Sequence, residues 1–161
     1  MKPSRTGSRR RSRTLTLGPE ALSTCSPGRT RRRGWKRSAR DLDHIVRDLH
    51  AHPEEAFEEH HAQAVIAGVL ERHGFQVERG AHGVSTSVRA EWSSADYDST
   101  VHPTVAVLAE YDALPGIGHA CGHNVIAAAG VGAFLGAVGS GSGRIVFLGT
   151  PRRRGTPARS T

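Results

Sequence analysis

Residues 116–124 read GIGHACGHN and set three metal-ligand side chains, His119, Cys121 and His123, at alternate positions. Thiolate and neutral imidazole are the forms that bind zinc and related ions. A spacing of i, i+2, i+4 does not bring all three to one face of a helix. In an extended or looped segment, side chains two apart point the same way. Gly116, Gly118 and Gly122 give the backbone freedom for such a loop. A zinc site takes three or four protein ligands, and a catalytic one keeps a position open for water. This loop supplies two or three, so other segments must supply the rest. The bland alternative is a polar loop around a buried thiol, and the motif alone leaves both readings open.

The other histidines carry weaker signals. His50 and His52 in LHAHPE read as packing and capping residues at a helix end, and His60 and His61 as members of a solvated helix face. His102, before Pro103, starts a strand and has no ligand partner nearby in sequence.

The elements around the motif follow from periodicity. Ordered structure is expected from about Ala39. Leu42, Ile45, Val46 and Leu49 keep the i, i+3, i+4, i+7 spacing of an amphipathic helix. Pro53 stops it, because the residue before a proline is pushed out of the helical region. A second helix is expected from Glu54 or Glu55, where acids suit the positive end of the macrodipole. Its buried stripe is Ala62, Val65, Ile66, Val69 and Leu70, and Gly74 is its stop. Short strands are expected at residues 75–78 and 84–92. The run TVAVLA at 104–109 reads as a strand buried on both faces. Residues 123–138 form a helix rich in Gly and Ala, which permits close packing on a sheet. Residues 144–148, RIVFL, read as a second buried strand. Helices alternating with such strands predict an α/β layered domain.

Charge is unevenly spread along the 161 residues, whose formal net charge is +7. Residues 1–40 hold thirteen Lys and Arg against one acid, Glu20. Residues 151–161 hold four Arg and no acid, whereas residues 41–150 hold five Arg against fourteen acids. The basic character therefore belongs to the two ends. Residues 1–38 are expected to form a disordered basic extension, 39–151 a folded domain, and 152–161 an aberrant Arg-rich tail. The Arg blocks could contact RNA or acidic surfaces through phosphates. They lack the interleaved aromatics that stack bases, so nucleic acid is not the expected partner. Cys25 and Cys121 are too few for a disulfide scaffold, which points to a reducing compartment and a cytoplasmic location. No apolar run is long enough to span a membrane. After Gly149-Thr150-Pro151 the character changes to RRRGTPARST, and a strand followed by no crossover helix reads as half a supersecondary unit.

The segments DLHAHPEEAFEEHHAQAVIAGVLERHGFQVERG, PTVAVLAEYDALPGIGHACGHNVIAAAGVGAFLGA and RIVFLGTP together resemble the M20 family of metallopeptidases and amidohydrolases, in its Cys-Gly-His branch. The resemblance covers about residues 39–151. It implies an α/β catalytic domain holding two metal ions, zinc or manganese, interrupted by a smaller dimerisation domain. It implies hydrolysis of amide bonds in dipeptides or N-acyl amino acids. Carried over by position, Cys121 and His123 match metal ligands, and Asp112 in YDALP matches the Asp that orients the metal site. His119 matches a motif His of structural or outer-sphere role. Glu110 stands where many members have a metal-binding His. Asn124 replaces the commoner Asp.

The larger departure comes after Pro151. The family continues GTP-A-E-E-G-G-G, with one Glu as general base and the other as ligand, whereas this sequence reads GTPRRRG. The expectation is therefore a part of the catalytic domain, ending before the dimerisation domain, inactive alone and with an incomplete metal site. Two other readings stand beside it. One is a non-enzymatic basic module that binds nucleic acid or a partner protein through its ends. The other is a chain that folds poorly because its sheet is left open at an apolar edge.

Overall fold

The computed structural model describes residues 30–151, with side chains from Ser38 onward. The expected basic extension up to residue 29, Cys25 within it, and the Arg-rich tail 152–161 lie outside the described residues.

The first helix, α1, runs Thr30–Ala51, so it begins nine residues before Ala39. Ile45 and Leu49 are fully buried, and Leu42 and Val46 pack beside them, as their spacing requires. Its last turn closes with the His52 N–H on the Asp48 and Leu49 carbonyls, and Pro53 ends it.

The second helix, α2, runs His60–Arg72, starting later than the acids suggested. The reason is the use made of Glu54. Its carboxylate accepts the backbone N–H groups of His61 and Ala62 at 2.9 Å each. It therefore satisfies the helix start from outside the helix, and residues 52–59 loop back to allow it. Phe57 in that loop holds a left-handed φ of 72°, uncommon for a bulky residue. The buried stripe of Ala62, Ile66, Val69 and Leu70 matches the sequence reading. Gly74, at φ 88°, reverses the chain after α2.

Four strands follow: β1 Val77–Arg79, β2 Val88–Ser93, β3 Thr104–Glu110 and β4 Arg144–Thr150. They form one sheet in the order β1-β2-β4-β3. β1 and β4 pair antiparallel with β2, and β3 pairs parallel with β4 in the register Thr104↔Arg144 to Glu110↔Thr150. The third helix, α3 (His123–Ala137), is the crossover from β3 to β4. The α/β class with helices on a mixed sheet is thus borne out.

The core lies between the sheet and one helical layer. α3 packs on β3 and β4, α2 packs on β1 and β2, and α1 covers α3. The small residues of α3 bring it close, as expected. A Cβ on Gly130 would stand 2.7 Å from that of Ala109. Phe134 is the centre of this core. Its ring meets Phe75 edge-on at 4.9 Å and Phe147 at 6.0 Å.

One burial expectation is overturned. β3 is an edge strand, and TVAVLA is not buried on both faces: Val105 is 54% exposed and Leu108 65%. An apolar run records what a strand can bury, and here α3 covers only the face that carries Val107 and Ala109. By strand alternation the other face carries Ala106 and Leu108, which no described element covers.

A polar clamp ties α1 to the end of α2. Asp41 accepts hydrogen bonds from Arg72 (3.1 Å) and His73 (2.9 Å). Burial alone would raise the Asp41 carboxyl, but Arg72 and His73 outweigh it and hold the carboxyl below its usual value. A carboxyl depressed by folding contributes stability above its unfolded pKa and loses it as pH falls. Asp41→Asn is therefore expected to cost about 1–2 kcal/mol at pH 7. Urea melts of both proteins should converge only below the usual carboxylate range, where the depressed wild-type carboxyl protonates.

Candidate functional site

The site lies where β3 ends and α3 begins. Continuing the strand, Tyr111 and Asp112 turn inward and are fully buried. The Tyr111 hydroxyl donates to the Thr86 carbonyl, and burial pushes its phenol well above the usual range, so it stays neutral. The loop from Leu114 to Gly118 closes on itself through Leu114 N–H to Gly118 O (2.8 Å) and the reciprocal bond at 3.0 Å. Gly116, Gly118 and Gly122 have φ values of 73°, 61° and 81°, the left-handed region that the loop required of them. Gly122 is the N-cap of α3, and its carbonyl accepts the Val125 and Ile126 N–H groups.

His123 opens α3 and is 3% exposed. Its Nδ1 lies 2.7 Å from Asp112 Oδ1, so that nitrogen carries the proton donated to the carboxylate. Nε2, on the other side of the ring, lies 3.4 Å from Glu110 Oε2. This is the carboxylate–histidine arrangement that fixes tautomer and ring direction at metal centres. His119 is buried too, with Nδ1 unpartnered among the described residues. Burial, with His50 and His123 nearby, holds its imidazole below the usual pKa.

Cys121 is exposed as a free thiol. The three motif side chains do not point the same way, because the segment is a turn rather than an extended run. The Gly122 N–H bonds the His119 carbonyl at 3.0 Å. His119 and His123 face inward on either side of this turn and Cys121 faces out. The structure thus brings His123, Asp112 and Glu110 into one cluster, with His119 beside it. Asn124 has a packing role: its Nδ2 donates to the Val46 carbonyl at 3.0 Å, fastening α3 to α1.

Glu59 was not legible as a site residue. It is the fully buried N-cap residue of α2, and its Oε2 accepts from Thr86 Oγ1 at 2.7 Å. Its Oε1 has no hydrogen-bond partner among the described residues. Burial raises its carboxyl, opposed by the Thr86 bond and assisted by the charge of Asp112. In sequence it is one of several acids, with nothing to separate it from exposed Glu58. The connector around it also touches the site loop, through a bridge between Glu55 and Ala113 and the Ala113 N–H on the Glu54 carbonyl.

No protein-family model matches the chain. A human protein named Xaa-Arg dipeptidase is 39% identical over 129 residues, which cover 71% of this chain and 30% of the relative. The mouse protein of the same name is 37% identical over 159 residues, covering 84% of this chain and 36% of the relative. Among solved structures, a Bacillus subtilis protein described as a dinuclear metal binding peptidase from the M20 family superposes with a TM-score of 0.62. It is 28% identical, and the match covers 72% of this chain and 36% of that one. The chain is of the M20 peptidase family. It spans about a third of the length of the curated relatives it matches. A Klebsiella pneumoniae aminobenzoyl-glutamate utilization protein, 19% identical with a TM-score of 0.56, shares the fold.

Proposed function

We propose that this chain carries one part of a metal-dependent amide hydrolase centre acting on dipeptides or N-acyl amino acids. The Asp112–His123 contact carries the proposal. A buried carboxylate that holds Nδ1 and frees Nε2 is of use when Nε2 meets an ion. In this reading His123 is one ligand and Cys121, which faces out, would have to turn toward it to be the other, while Asp112 orients and Glu110 and His119 line the surroundings. Imidazole with thiolate suits zinc better than manganese, which prefers oxygen donors. The ion would supply polarisation of the amide carbonyl and acidification of a water. A water so activated still needs a carboxylate to take its proton. Here the family's paired glutamates are replaced by Arg152, Arg153 and Arg154. The chain alone is therefore expected to bind zinc weakly and turn over no substrate.

Two measurements test this. Purified chain with zinc and dipeptides ending in arginine, the kind that the curated relatives' name indicates, should show no hydrolysis. Robust turnover abolished by Cys121→Ser would overturn the inactivity. Second, in a Cys25→Ser background, zinc should slow alkylation of exposed Cys121 several-fold. An unchanged rate at saturating zinc removes Cys121 from the ligand set.

A further inference from the structure

A second group of ligand atoms lies away from the Cys-Gly-His motif, where α1 ends and α2 begins. Asp48, His52 and His61 each offer one ligand atom, and these atoms lie within 4.8 Å of one another. Asp48 stands in the last turn of α1 and His52 just past its end, four residues on, with the His52 N–H on the Asp48 carbonyl, so their side chains meet on one side. His61 comes from the first turn of α2, fixed there by its backbone N–H on Glu54 Oε1. Its Nε2 contacts Asp48 Oδ1 directly. His52 Nδ1 lies 3.4 Å from the same oxygen, and the His52 and His61 rings stand 4.6 Å apart. His44, a turn earlier on α1, puts Nδ1 3.9 Å from Asp48 Oδ2.

We propose that Asp48, His52 and His61 form a surface site for a divalent transition ion, zinc, nickel or copper, with His44 close by on the same helix. Around a tetrahedral ion with bonds of ~2.0–2.1 Å, neighbouring ligand atoms stand about 3.3 Å apart. The His52–Asp48 separation already matches, and an ion would displace the proton that His52 Nδ1 donates to the Asp48 carbonyl at 2.9 Å. The His61–Asp48 contact is a hydrogen bond and opens by a small side-chain rotation when an ion replaces its proton. Two imidazoles with one carboxylate favour copper, nickel and zinc over magnesium or calcium, which take oxygen donors. The side chains are accessible, His52 being 59% exposed and His61 42%.

The site has a mechanical consequence. An ion here joins the end of α1 to the start of α2 across the loop 52–59. That loop holds strained Phe57, buried Glu59, and Glu55, which bridges to Ala113 of the site loop. Occupancy therefore braces one wall of the Asp112–His123 site without entering it. The proposal does not rest on the hydrolase reading.

Cobalt titration of the full chain separates the two sites. Cobalt held by imidazole and carboxylate shows ligand-field bands only, whereas cobalt on Cys121 adds a thiolate charge-transfer band. In a Cys25→Ser, Cys121→Ser background, the chain should still bind one cobalt or zinc, with ligand-field bands and a raised thermal midpoint. His52→Ala and His61→Ala should each weaken that binding at least tenfold, while His60→Ala, one residue away, leaves it unchanged. Circular dichroism keeps loss of fold distinct, and His52, at the exposed end of α1, is the variant least able to unfold the chain. Binding unaltered in a His52→Ala, His61→Ala double variant would overturn the proposal. So would a background protein that binds no ion.

Discussion

Phe134→Ala is expected to cost about 3–5 kcal/mol, the range for truncating a fully buried aromatic. Phe134 lies on the face of α3 turned to the sheet, and its ring touches both Phe75, beyond α2, and Phe147, in β4. Its removal opens a cavity between the helical layer and the strand pair that bears the candidate site. The cavity cannot collapse easily. Gly130, one turn earlier, already holds α3 against Ala109, and Gly132 holds it near Leu42. Small domains are stable by about 5–15 kcal/mol in total, so this one change removes much of the margin. With a urea slope of 1–3 kcal/mol/M, the midpoint should fall by about 2 M. A loss below about 1 kcal/mol would mean that the layer repacks and that α3 is not the rigid base of the site.

The contrast between Phe134 and Leu108 shows which parts of the fold were legible in the sequence. Helical spacing placed the buried stripes of α1 and α2, because a face of 3.6-residue period has one way to point at a core. The glycines of α3 correctly implied a close approach. TVAVLA misled, since an apolar strand reads alike whether one face or both are covered, and in β3 Leu108 is exposed. The start of α2 misled because Glu54 could act as helix residue or as cap, and the choice depends on backbone amides that a sequence does not locate.

The candidate site divides in the same way. Its ligand types and flexible glycines were legible, and the family likeness supplied a role for Asp112. The turn that sends Cys121 outward between His119 and His123 was not, because alternation predicts common direction only in extended chain. Nor was the burial of Glu59 beneath the site, which comes from a connector returning between two helices.

Asp112→Ala should lower zinc affinity by about 10–100-fold, the usual loss when the carboxylate behind a ligating histidine is removed. Asp112 Oδ1 is the acceptor, at 2.7 Å, for a ring that is 3% exposed. Without it the Nδ1–H has no charged acceptor, the other tautomer becomes competitive, and Nε2 spends less time as the bare donor. The same substitution leaves a buried donor unsatisfied, which costs about 1–3 kcal/mol of stability. Affinity must therefore be compared at a temperature where both proteins are folded by circular dichroism. Asp112→Asn separates the two effects. Its amide oxygen can still accept from Nδ1 and keep the ring in place, while the negative charge behind it is gone. The expected order of zinc affinity is wild type, then Asn, then Ala, measured in a His52→Ala, His61→Ala background so that the α1–α2 cluster contributes nothing. Equal affinity in all three, with the fold intact, would mean that zinc does not meet His123 at all. The Asp112–His123 pair would then be a buried structural contact, and the hydrolase reading would lose the observation that carries it.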